Sequence, residues 1–116
     1  MFGLAEALGN SVRGLAHALR SERALQQEAA ALLAAAPLAL VLGTSAFQRA
    51  ILIACVLGVL AVELLNTCIE KLCDHVTPNL NPHIRAVKDM GSAAVFCAIL
   101  GCALCWGAAL AERLGF

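Results

Sequence analysis

Charged side chains are scarce in this chain: Asp, Glu, Lys and Arg make up only 14% of its 116 residues. A soluble domain carries about a quarter. One this short also buries too small a share of its surface to hide a composition that is 61% hydrophobic. A water-soluble fold is thereby excluded, and a mean hydropathy of +0.84 marks a membrane protein. No sign of charge predominates. Eight basic and eight acidic residues cancel, which removes the general attraction a nucleic-acid partner needs. Aromatic residues are few, with no Tyr and one Trp (Trp106), so the usual interfacial belt is thin. Neither a Walker-type GxxxxGKS/T loop nor GxGxxG occurs, and a standard phosphate cradle is therefore missing. The length leaves no room for a separate nucleotide-binding domain. Any active site must be built from helix ends and short loops, shared between subunits.

What the chain does have is three long apolar stretches. They predict membrane spans over 29–48, 50–70 and 90–111, each long enough to cross a bilayer. Pro37 lies inside the first and is expected to kink it, which neighbouring helices accommodate. The first strong apolar run lies too far in for a secretory signal. Arg13, Arg20 and Arg23 precede the first span, and Lys71, Arg85 and Lys88 fall between the second and third; Arg49 and Arg113 lie on the other side. That bias places the amino terminus and the second loop in the cytoplasm.

Before the spans, Leu4, Leu8, Val12, Leu15 and Leu19 recur at helical spacing, opposite Glu6, Asn10, Arg13, His17 and Arg20. The spacing predicts an amphipathic helix over about 3–27, lying in the cytoplasmic interface or packed on the protein's own spans. The expected fold is therefore an all-α membrane protein, one domain over 1–116, with three transmembrane helices after an interfacial helix. A stripe of small residues in the third span (Gly91, Ala94, Ala98, Gly101, Cys105 and Ala108) allows close helix approach. Cys102 and Cys105 form a CxxC, but both lie in an uninterrupted apolar span, where cysteine serves as a small hydrophobe. His17, His75 and His83 are too scattered to form a ligand cluster.

Glu63 is the most informative residue. A charge at a helix centre costs about 2.5–3.5 kcal/mol on insertion scales. The aliphatic residues between Ile51 and Leu65 return about 0.3–0.6 kcal/mol each, so the span still inserts. Asn66 and Glu70 follow at i+3 and i+7 on the same stripe, with Glu70 about 10 Å further along the axis. Glu63 then sits just inside the hydrocarbon and Glu70 at the cytoplasmic surface. Lys88 and Asp89 open the third span at that surface, and Glu22 and Glu28 precede the first. Carboxylates with phosphates are what Mg²⁺ takes as ligands, and lysine supplies a point charge for phosphate. A carboxyl in an apolar setting suits general-base work. These parts suffice for phosphoryl transfer to a lipid hydroxyl, while interhelical glue with a solvated helix boundary accounts for the same residues without chemistry.

The segment VELLNTCIE (Val62 to Glu70), followed by VKDMGSAAV (Val87 to Val95), resembles the prokaryotic diacylglycerol kinase family, as does SERALQQEAA (Ser21 to Ala30) before the first span. The resemblance covers nearly the whole chain. It implies a homotrimer of three-span subunits in the bacterial inner membrane, with active sites at the cytoplasmic interface between neighbouring subunits. There ATP with Mg²⁺ would phosphorylate diacylglycerol to phosphatidic acid, in phospholipid biosynthesis. Carried across by position, Glu63 is similar to the family's catalytic base and Asn66 to its orienting asparagine. Glu22 and Glu70 resemble its metal ligands, and with Lys88 and Asp89 they make up the nucleotide site. Gln27, Glu28 and Ser92, beside Glu63, match positions of the lipid pocket. Gly3, Asn10 and the 79–82 loop depart from the family pattern, which leaves adenine recognition without matching residues.

Three other readings of the same pattern compete. A related branch phosphorylates undecaprenol, although the KDMGSAA wording matches the diacylglycerol branch. A small proton-coupled exporter would use one membrane glutamate but typically needs four spans. A passive assembly subunit would need none of the carboxylates.

Overall fold

In the computed structural model, residues 3–79 and 81–116 are described. Among them the chain forms four α-helices and no strand: α1 (Leu4–Ser21), α2 (Arg23–Leu42), α3 (Ala46–Val76) and α4 (Pro82–Arg113). The all-α class expected from the sequence is the one observed, with an amphipathic helix followed by three helices apolar enough to cross a membrane. α3 and α4 contain 31 and 32 residues. At helical rise they are nearly 50 Å long, against about 30 Å of hydrocarbon. Both must project beyond the apolar layer, which is where polar side chains are needed.

The helix boundaries differ from the sequence expectation at two corners. The predicted helix over 3–27 is broken at Glu22, whose extended backbone (φ −116°, ψ 116°) ends α1 and begins α2. Its N–H still donates to the Ala18 carbonyl at 2.8 Å, and Gln26 Nε2 donates to the Leu19 carbonyl at 2.8 Å. Residues 23–27 therefore open α2, where Leu25 is fully buried. At the second corner α2 stops at Leu42, short of the predicted end at 48. Gly43 makes this turn possible, because a Cβ there would lie 2.9 Å from the Ala39 carbonyl and collide with the Arg49 side chain. Ser45 then caps α3, accepting from the Gln48 N–H at 3.0 Å, while Gln48 Oε1 accepts from the Thr44 N–H at 2.7 Å. This reciprocal arrangement is close to a capping box. Because this second corner carries neither a charge nor a proline, a charge-free run conceals the turn. Asn81 caps α4 in the ordinary way, accepting from the Ile84 N–H at 2.9 Å with Pro82 at the first helical position.

α3 is the central element, packed against α2 on one side and α4 on the other, while α1 meets α2. α3 and α4 run antiparallel in a fixed register. Gln48 Nε2 donates to Glu112 Oε2 at 2.9 Å, Trp106 Nε1 donates to the Leu52 carbonyl at 3.1 Å, and Cys55 Sγ lies 3.1 Å from Cys102 Sγ. Leu52 and Ala109 are buried with Ala39 of α2 at the Trp106 end, flanked by Leu42, Ile53 and Cys105. On α4 the buried and half-buried residues Gly91, Val95, Ala98, Cys102, Cys105 and Ala109 recur at alternating steps of four and three. On α3 the same rhythm runs through Leu52, Val56, Val59, Glu63, Asn66 and Cys73. Such a repeat keeps a seam facing its partner along two antiparallel helices. The predicted small-residue stripe shares Gly91, Ala98 and Cys105 with this seam. Ala94, Gly101 and Ala108 face outward, because their helical phase, not their size, sets their direction.

Outside the seam the surface is apolar. Leu33 (77% exposed), Phe47 (76%) and Leu104 (74%) have no cover within the chain, as expected where lipid or further membrane helices are the solvent. The Ser45 cap gives the corner its own test. Ser45→Ala is expected to destabilise the protein by about 0.5–2 kcal/mol, read by denaturant titration in mild detergent; an unchanged midpoint would show that the α2–α3 corner is held by other contacts.

Candidate active site

The polar residues singled out from the sequence gather at one end of the bundle, opposite Trp106. Three come from one stripe of α3. Asn66 is the single buried polar side chain among the described residues, at 7% exposure. Its Nδ2 donates to Glu70 Oε1 at 2.9 Å, so the amide holds the carboxylate one turn along. Its Oδ1 is buried without a hydrogen-bond partner and presses against α4 where Gly91 has no side chain; a Cβ on Gly91 would collide with it. Glu63, one turn before Asn66, is half-buried on the same seam.

Glu22 reaches this stripe from the α1–α2 corner. Its Oε1 accepts from Lys71 Nζ at 2.7 Å, which fastens the corner to α3 one residue after Glu70. Glu63 lies within electrostatic range of Glu70 and Glu22, and Glu28 of α2 within range of Glu63. Glu22, Glu28 and Glu70 thus each lie within electrostatic range of Glu63. Glu28 Oε2 is buried and without a partner, at the border of a cavity of about 210 Å³ otherwise lined by Ala31, Val56, Val59, Ile99 and Cys102. A second, larger groove of about 600 Å³ runs between α1 and α3. Its walls are apolar, including Leu15, Leu57, Leu60 and Leu64, and Glu22 and Lys71 stand among its lining residues.

The remaining residues are dispersed. Lys88 Nζ donates to Asp74 Oδ1 at 2.6 Å and lies within electrostatic range of Glu70. Asp89 is exposed and pairs with Arg85 one turn back, at 3.7 Å. Gln27 and Ser92 are exposed. Sequence reasoning missed three participants. Asp74 stands four residues beyond Glu70 and so continues the Glu63 stripe; extending that periodicity by one turn finds it. Lys71 and its partner lie on different elements, and no spacing in the sequence connects them. Gly91 was visible as a small residue, but not as the space that Asn66 fills.

The thiols play no part in this arrangement. All six cysteines are free, and the CxxC cysteines sit toward the opposite end of the seam, with Cys102 against Cys55.

Carboxylates, one amide and two lysines stand together at the end of a bundle of helices apolar enough for a membrane. That combination defines a small helical membrane protein with a charged cluster at one end. The chain belongs to the prokaryotic diacylglycerol kinase family, which it matches over residues 9–110. It is 37% identical to the diacylglycerol kinase of Escherichia coli strain K12 over 110 residues, covering 95% of this chain and 90% of that protein. The Pseudomonas aeruginosa diacylglycerol kinase is 38% identical over 104 residues, covering 90% and 85%. That of Haemophilus influenzae is 33% identical over 100 residues, covering 86% and 85%.

The contact between Asn66 and Gly91 yields a double-mutant test. Gly91→Ala inserts a methyl group where the amide lies and is expected to cost about 1–3 kcal/mol of stability. In the Asn66→Ala background the same substitution should cost far less, because the space is then empty. Equal losses in the two backgrounds, measured by denaturant titration, would contradict the contact.

Proposed function

We infer that this chain is a lipid kinase that transfers the terminal phosphoryl group of ATP to diacylglycerol, yielding phosphatidic acid. It acts at the cytoplasmic face of the bacterial inner membrane, with its three spans within α2, α3 and α4 and the amino terminus in the cytoplasm. The observation that carries this reading is the α3 stripe in which buried Asn66 holds Glu70 and Glu63 stands one turn away, within a chain matched to the family over residues 9–110.

In this reading Glu63 takes the proton from the lipid hydroxyl as the phosphoryl group arrives. Its half-buried place on the seam supports a position just below the headgroups, where a diacylglycerol hydroxyl would meet it. Asn66 keeps Glu70 oriented. Glu28, with its unpartnered buried oxygen beside an apolar cavity, supports a place in the acceptor pocket, completed by Gln27 and Ser92. Lys88 and Asp89 attend the nucleotide, Lys88 by charge. Direct transfer of this kind depends on positioning and electrostatics more than on covalent chemistry.

Magnesium fits the donor set. No three His, Cys, Asp or Glu side chains among the described residues converge to hold a metal unaided. Mg²⁺ is commonly bound by one or two carboxylates together with substrate phosphates and water, and Glu22 and Glu70 supply that number. Each has one oxygen, Oε1, engaged by Lys71 or Asn66, which leaves Oε2 for a hard cation. When bound, the ion neutralises charge that develops on the phosphoryl group.

A homotrimer completes the picture. Exposed apolar faces favour neighbours that a single chain lacks. For the acceptor, the relatives named above are diacylglycerol kinases, which favours that lipid over undecaprenol. Three candidate spans and a lysine-paired carboxylate cluster suit a kinase better than an exporter.

Purified protein incubated with radiolabelled ATP, Mg²⁺ and either lipid tests the assignment by thin-layer separation. Labelled phosphatidic acid is expected; label in undecaprenyl phosphate alone, or in neither lipid, would overturn it. Glu63→Gln should lower turnover by about 10²-fold or more, as loss of a general base does. Glu70→Ala should instead raise the Mg²⁺ concentration needed for half-maximal rate. Near-normal kinetics in both variants would remove these roles.

A further inference from the structure

We infer that Lys71 is a positioning residue that holds Glu22 in place before the divalent cation arrives and competes with that cation for the Glu22 carboxylate. The inference rests on Glu22 being a metal ligand, as proposed above, and goes beyond it by assigning a role to a lysine outside the catalytic set.

Three ion pairs are present among the described residues. Arg85–Asp89 stays within α4, and Lys88–Asp74 joins α4 to α3. Lys71–Glu22 is the one that ties the α1–α2 corner to α3, at 2.7 Å. Glu22 lies where the backbone leaves α1 in an extended conformation before entering α2. It also faces Glu63 across electrostatic range, so in an empty site its carboxylate would be repelled. Lys71 offsets that repulsion.

The same ammonium opposes metal binding. A divalent cation seeking Glu22 meets a positive charge already on Oε1, and must displace it or bind beside it. The Lys71 side chain is 53% exposed and that of Glu22 28%, so the pair is partly solvated and weak enough to exchange. The exposed Lys71 side chain leaves the displaced ammonium free to turn into solvent. Lys71 therefore acts as a placeholder that trades cation affinity for a preformed corner.

Mn²⁺ binding to the full-length protein in bicelles, followed by electron paramagnetic resonance without nucleotide, tests this directly. Lys71→Met keeps the apolar stem and removes the charge. It should tighten Mn²⁺ binding by about twofold to fivefold, the range set by a partly exposed pair. Lys71→Arg should bind as the native protein does, and Glu22→Gln should lose the site. A purely structural lysine predicts the opposite sign for Lys71→Met, since a loosened corner binds metal less well. Unchanged or weaker binding in Lys71→Met, with Glu22→Gln still losing the site, overturns the role of Lys71 alone. Native-like binding in Glu22→Gln overturns the assignment of Glu22, and the competition with it.

Discussion

One amide buried between two helices organises the polar end of this protein. Asn66 occupies a seam position that on an ordinary membrane helix pair would be small or aliphatic. Burying an amide carries a penalty unless its groups are paired. Here the donor is spent on Glu70 and the acceptor is lodged against the backbone of α4 at Gly91. The register of α3 against α4 follows from that fit. A Cβ at that point of α4 would collide with the amide.

The rest of the site is distributed around this point so that the membrane does part of the work. Apolar length in α3 and α4 exceeds what the bilayer needs, and the excess presents carboxylates and lysines at the boundary between hydrocarbon and water. In the proposed function Glu63 lies on the buried side of that boundary and Glu70 on the exposed side. A lipid hydroxyl and a charged nucleotide can meet there without either leaving its own phase. Repulsion among Glu22, Glu28, Glu63 and Glu70 is the consequence, and Lys71 and Lys88 are placed to moderate it.

The fold was legible because its main signals are local. Apolar runs mark α2, α3 and α4, helical periodicity marks α1, and the i, i+3, i+7 spacing of Glu63, Asn66 and Glu70 puts them on one face. The corners were less legible. A charge-free stretch hides the Gly43–Ser45 turn, since hydropathy does not register a cap; the Ser45 and Gln48 pairing was the signal that would have found it. The break at Glu22 has no such signature, because it is set by Leu25 packing and by the pull of Lys71 from a distant helix. The partners of Lys71 and Lys88 depend on how helices meet, a property that no single-helix periodicity contains.

Solid-state NMR of uniformly labelled protein in lipid bilayers addresses the Asn66 contact most directly. Through-space correlations are predicted from the Asn66 side-chain carbonyl carbon to Gly91 Cα, and from the Asn66 amide nitrogen to the Glu70 carboxyl carbon. Spectra in which α3–α4 correlations near Cys55 and Cys102 are resolved while both Asn66 correlations are missing would contradict the account.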